Sequence, residues 1–229
     1  MPGTPEEELT RGSPPYLEAI AVLHRALDPA FYLEIGVRHG RSLELARCPA
    51  IGVDPAPELL VPQLPPTTRL SVMTSDDFFA RLPADPLPQA PDFAFIDGMH
   101  WFEYALRDFI NVEAWCAPGS TIVLHDCVPL LPPTASRERR TKFWVGDVWK
   151  VVSILRERRP ELRVKIIATA PSGLCVVRGL DPKSTVLREQ LSEIVERYQD
   201  LPYPAQGLSV PEGFDLVPAT SAGLSQALS

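Results

Sequence analysis

The sequence predicts a doubly wound α/β domain on a buried, mostly parallel sheet, and three observations predict it. Short, nearly continuous apolar runs alternate with amphipathic segments, as in βαβ units whose strands are covered on both faces. The run Phe31 to Ile35 breaks into a glycine-bounded turn and then into helical spacing at Leu43 and Ala46. Two later runs, DFAFID and STIVLHD, switch from apolar to polar at Asp97 and at His125 and Asp126, and open α/β sheets bind their ligands at such carboxyl ends.

Taken in order, Ser13 and Pro14 start a helix whose Leu17, Ile20, Leu23 and Leu27 share one face, covering the sheet edge or a cofactor. Strand one spans residues 31–36, a helix 41–47 follows, and strand two spans 51–54. A short third strand covers 69–73. Ser75 then caps a helix with Asp76 and Asp77 in its first turn and Phe78, Phe79 and Leu82 inward. Strand four leads into a helix at 101–115, and Pro118 and Gly119 turn the chain into strand five. The stretch 127–145 holds Pro129, Pro132, Pro133 and the basic residues Arg137, Arg139, Arg140 and Lys142. Its length is that of a lid or a disordered loop, with cations that are either solvated or turned to an anionic substrate group. A helix at 147–158, strands at 162–168 and 173–178, and an amphipathic helix at 184–198 complete a single domain over 1–199 with its core at 31–178. Residues 200–229, rich in Pro, Gly, Ser and Ala, read as an extended or disordered tail.

Composition narrows the function. A chain of 229 residues with 45% hydrophobic content can bury a sizeable core. A net charge of -7 argues against nucleic-acid binding, which neutralises phosphates with a basic face. No apolar run is long enough to span a membrane, and the acidic N-terminus MPGTPEEELT is unlike a basic leader, so a cytoplasmic protein is expected. Four scattered cysteines, never paired as C-x-x-C, suggest neither a zinc knuckle nor a disulfide framework.

The stretch FYLEIGVRHGRS organises the chemistry. Gly36 and Gly40, between a buried strand and a helix start, let backbone approach a nucleotide-like cofactor and point free N–H groups at it. Asp54 ends the next strand ~20 residues past Glu34, where a doubly wound fold keeps the carboxylate that grips ribose hydroxyls. The spacing is not G-x-G-x-x-G, so a nicotinamide cofactor is disfavoured. At the strand ends, Asp97 and Asp126 can converge on a hard cation such as Mg, or can simply close turns. His125 is either a ligand or a buried, hydrogen-bonded ring. His100, just past strand four, can take a proton from a substrate hydroxyl. His100, His125 and a carboxylate would alternatively suit a non-haem iron oxygenase.

The segments LEIGVRHGRS, IGVDP, TSDDFFA, DFAFIDGMHWFEYALRDFIN, STIVLHDCVP and WVGDVWK, in this order, resemble the class I S-adenosylmethionine (SAM) methyltransferases, in the group of macrocin-type sugar O-methyltransferases and cephalosporin-hydroxylase-like proteins. The resemblance implies a Rossmann-like seven-stranded sheet with one antiparallel strand and, in many members, Mg-assisted O-methylation. It implies that Glu34, Gly36, Gly40 and Ser42 hold the methionine part of SAM, Asp54 the ribose, and Ser75 and Asp76 the adenine. Asp97 would serve both cofactor and metal, Asp126 with His125 the metal, and His100 would be the general base. The implied substrate is a hydroxylated small molecule such as a sugar or glycoside, with homo-oligomers an open matter. A SAM-binding protein without catalysis is the remaining alternative.

Overall fold

The structure, a computed structural model, describes residues 12–129, 131–204, 214 and 216–229; the acidic N-terminal segment and residues 205–213 of the tail lie outside them. Its strands are β1 (Tyr32–Ile35), β2 (Ala50–Val53), β3 (Thr68–Ser71), β4 (Phe93–Ile96), β5 (Thr121–His125), β6 (Arg163–Ile167), β7 (Leu174–Arg178) and β8 (Leu216–Val217). They form one sheet in the order β3-β2-β1-β4-β5-β7-β6-β8. All neighbours are parallel except β7, which runs antiparallel to β5 and β6. This is the Rossmann-like sheet of class I methyltransferases, with β8 as an eighth strand beyond the seven expected.

Strand residues alternate between two cores, as the pleat requires. Leu33, Ile35, Ala94, Ile96, Ile122 and Leu124 face one layer; Tyr32, Phe93, Phe95 and Val123 face the other. The first layer holds α2 (Ser75–Arg81), α3 (Phe102–Trp115), α4 (Trp149–Arg158), α5 (Val186–Glu189) and α6 (Leu191–Tyr198). Ile20 and Leu23 of α1 (Tyr16–Leu27) and Leu224 of α7 (Ser221–Leu228) cover the second. With both faces covered, every residue of β1, β2, β4 and β5 is buried, which explains their unbroken apolar runs.

Several elements differ from expectation. The helix expected at 41–47 is a single 3-10 turn at Leu43–Leu45, because Pro49 and the start of β2 at Ala50 leave no room for an α-helix. The cap of α2 is Thr74 rather than Ser75: its hydroxyl accepts from the Asp77 N–H and donates to the Asp77 carboxylate. The helix expected at 184–198 is split at Gln190 into α5 and α6. Within the stretch read as a loose tail, Leu216–Val217 pairs with β6, and α7 packs on the sheet.

Candidate active site

The order of the strands reverses between β1 and β4: the chain leaves β1 toward β2 on one side and β4 toward β5 on the other. A crevice opens at such a switch point. Here it is a cavity of about 700 Å³ whose walls include Gly36, Val37, Arg38, Ser42, Asp54, Ser75, Asp76, Asp97, His100, His125 and Asp126.

The glycine turn is shaped by close contact. Gly36 has φ +87°, and a Cβ there would lie 2.1 Å from the Asp97 carbonyl oxygen, so only glycine lets β1 and β4 end side by side. Asp54 fixes the turn from the neighbouring strand. Its Oδ2 accepts from the N–H groups of Val37 (3.0 Å) and Arg38 (2.8 Å), and its Oδ1 from Ala56 N–H (2.8 Å). The carboxylate lines the cavity as expected for a ribose partner and also rigidifies the loop.

Glu34 is not on the cavity wall. It lies fully buried beneath the turn, accepting from Ser42 Oγ (2.7 Å) and Tyr32 Oη (2.6 Å). Burial pushes its carboxyl up to about 8, against the pull of the two hydroxyls. Gly40 also stays off the wall; φ +78° turns the chain there against Leu59 and Val61. At the opposite end, Asp76 is held by two 2.7 Å bonds from Arg107. Ser75 bonds Asp108, a buried carboxyl in the wall that burial raises to about 7.

The strand-four and strand-five ends bring two aspartates and two histidines together. His100 Nδ1 lies 3.2 Å from the Trp144 carbonyl oxygen. A carbonyl only accepts, so Nδ1 carries a proton and Nε2 is the ring nitrogen turned to the carboxylates. That Nε2 is 3.3 Å from Asp126 Oδ2 and 4.0 Å from Asp97 Oδ1. Nε2 and the two carboxylates therefore converge on one point, an arrangement satisfied by a proton shared among them, a hydroxyl donor or a cation.

Asp97, His100 and Asp126 each bring one atom within 4.8 Å of the others, close enough to share a metal, and His125, which the resemblance puts at the metal, lies beside them. His125 Nδ1 sits 3.1 Å from Asp97 Oδ1 and 3.5 Å from Asp126 Oδ1. Burial depresses its imidazole, but Asp126 and Asp97 outweigh that and raise it to about 9. Its Nε2 has no partner, and the ring packs 4.1 Å from that of Tyr16. In its charged form His125 offsets the charge of the two carboxylates.

Of the basic loop residues, Arg139 and Lys142 line the cavity, while Arg140 pairs with Glu138 and Arg137 turns inward to Glu103 and Asp147. His39 also reaches the cavity, whereas His24 packs against Tyr32 and Phe93. Sequence reasoning missed Tyr16, Asp108, Phe143 and Trp144 in the walls. Asp108 carried a signal, a carboxylate one helical turn past Tyr104 among inward apolar positions. Tyr16 carried none, because its place depends on how α1 crosses the sheet.

Sheet order, switch-point cavity and glycine turn define a class I methyltransferase-type domain. Residues 33–127 match the family model described as a methyltransferase domain. No curated protein matches the chain. Among solved structures, the chain is similar to the O-methyltransferase TomG from Streptomyces achromogenes, involved in tomaymycin synthesis and solved with SAM. The TM-score is 0.53 and the identity 15%, over 74% of this chain and 81% of that one. It is similar also to an O-methyltransferase from Bacillus cereus solved with S-adenosylhomocysteine (SAH), with a TM-score of 0.54 and 12% identity over 74% of this chain and 82% of that one.

Proposed function

We propose that the protein is a SAM-dependent O-methyltransferase acting on a hydroxylated small molecule such as a sugar or glycoside. The observation that carries the reading is the position of His100 Nε2, turned toward Asp97 and Asp126 in the wall of a cofactor-sized cavity. The cavity walls suit SAM: the Gly36 turn admits a ligand against backbone, Asp54 keeps a lone pair on Oδ1 for a ribose hydroxyl, and Ser75 and Asp76 flank the adenine end. When bound, SAM supplies a methyl group already activated on a sulfonium.

The chain's own residues then have to align and deprotonate the acceptor. An acceptor hydroxyl between Nε2 and the two aspartates donates to the imidazole, and the nearby Asp126 carboxylate stabilises the resulting imidazolium. Trp144, Phe143, Tyr104 and Met99 line the outer cavity and give apolar faces to a sugar ring. Two carboxylates and one imidazole fit Mg poorly, since it prefers an all-oxygen shell, and an Nε2 bound to metal accepts no proton. Methyl transfer is read here without a metal step. Four free cysteines, three of them buried, suit a reducing, cytoplasmic setting.

Calorimetric titration with SAM and SAH, with NAD as control, tests the cofactor. Both sulfur compounds are expected to bind and NAD is not. With an acceptor found by screening hydroxylated compounds, His100→Ala is expected to lower turnover by roughly 10²–10⁴-fold while SAH affinity is kept. Unchanged turnover removes His100 as the base; SAH binding with no turnover on any acceptor favours the non-catalytic alternative.

A further inference from the structure

Beyond Trp144, the motif WVGDVWK has no task in the reading above, yet its Gly146 and Asp147 also reach His100. We infer that Asp147 is a positioning residue that, with Gly146, fixes the aim of the His100 imidazole; its catalytic consequence rests on His100 being the base.

Contacts reach His100 from both of its sides. Trp144 holds the ring through its carbonyl on Nδ1 and by stacking, with centroids 5.3 Å apart and planes 22° from parallel. The Asp147 N–H donates to the His100 carbonyl at 3.2 Å. Gly146 makes that approach feasible: it has φ +62°, and a Cβ there would lie 1.7 Å from the same carbonyl oxygen. The Asp147 carboxylate then grips the other flank. Its Oδ1 accepts from Phe102 N–H at 2.9 Å, at the first residue of α3. The N-cap of α3, Trp101, makes no side-chain cap bond, and Asp147 caps the helix in its place.

Asp147 is itself held. Its Oδ2 accepts from Lys150 Nζ and Arg137 Nη1, each at 2.9 Å, and its side chain is 1% exposed. Arg137 continues the chain of bonds to both oxygens of Glu103, at 3.0 and 2.6 Å, on the first turn of α3. His100, through its carbonyl, and Phe102, through its N–H, are thereby both tied to Asp147. Asp147 does not line the cavity, so it acts on the reaction only through His100.

The test is the imidazole nitrogen spectrum of the full chain, which has only four histidines, with His100→Ala assigning the His100 signals. Asp147→Asn keeps an acceptor for Phe102 N–H but removes the charge shared by Lys150 and Arg137. It is expected to move the His100 Nδ1 signal from the protonated position toward the average of the two tautomers, while the His24 and His39 signals stay in place. SAH affinity should hold, and kcat should fall by about tenfold with the KM for SAM nearly constant. Arg137→Met, at a side chain 34% exposed, is expected to give a smaller shift in the same direction and carries the test should Asp147→Asn not fold. An unmoved His100 signal in folded Asp147→Asn or, failing that, in Arg137→Met overturns the inference. A moved signal with undiminished methyl transfer supports the positioning and overturns His100 as the base.

Discussion

At the scale of the residue, Glu34 is the position where pattern and environment part company. The pattern E-x-G-x-x-x-G marks a carboxylate two residues before the turn, and alternation along β1 sends it to the face opposite Leu33 and Ile35. What the pattern cannot carry is depth: Tyr32 and Ser42 close over it, and burial holds its carboxyl near 8. The folded chain therefore keeps a proton that the unfolded chain, titrating near 4.5, releases. Because the folded state binds the extra proton, stability falls as pH rises from about 4.5 to 8 and levels off above. Asp108, raised to about 7, adds a slope of the same sign. Glu34→Gln should flatten part of that slope, in denaturant unfolding at pH 5, 6.5 and 8.5. A variant with the full wild-type slope would mean that Glu34 is ionised in the fold throughout.

At the scale of the element, α3 links the cleft to the rest of the molecule. Its first turn carries the contacts around His100, and its last turn carries Glu113, whose carboxylate takes two 2.9 Å bonds from Arg159 at the end of α4 and one from Asp181 N–H. Both charges are almost fully buried. Losing Glu113 leaves buried Arg159 with Glu161, an exposed partner, at Nε alone, so Glu113→Ala should cost ~3 kcal/mol, whereas the double variant Glu113→Ala/Arg159→Ala should cost less than the two single losses added together. Denaturant midpoints measure both, and a single loss below about 1 kcal/mol would mean that water already reaches the pair. SAH affinity should not change, since the bridge is remote from the cavity. Elements of this kind were legible wherever a long periodic run ends in clear punctuation, as α3 does, bounded by His100 and by Pro118–Gly119. The short connection 41–47 was not, because its apolar spacing fits a helix while Pro49, just beyond it, sets the available length. The basic loop was half legible: its charges were plain in the sequence, but the inward turn of Arg137 depends on Asp147 and Glu103, which only the tertiary fold brings beside it.

At the scale of the whole molecule, the parallel half of the sheet builds the cleft and the antiparallel half supports it. The cleft lies between β1 and β4, and β5, β7 and β6 separate it from β8. The final segment was read as loose because its composition is that of a tail, yet a strand of two residues and a capped helix suffice once a sheet edge is waiting for them. Thr220 accepts from Gly223 N–H to cap α7, and a Cβ on Gly223 would lie 1.9 Å from the Pro218 carbonyl oxygen, so the glycine lets the helix turn back tightly on β8. Leu224 and Ala227 then join the core formed by Ile167, Leu174 and Val176. Ending the chain at residue 204 should uncover that core and the outer edge of β6 together. The expected result is a melting temperature lower by about 2–4 °C for each kcal/mol of packing lost, and self-association through the bared strand edge, seen as a concentration-dependent mass in solution. The same shortened protein should bind SAH with nearly the affinity of the full chain, because no residue of β8 or α7 lines the cavity. A truncated protein that melts like the full chain and stays monodisperse would mean that the end segment adds nothing to the fold; one that holds its fold and loses SAH would mean that it reaches the cleft.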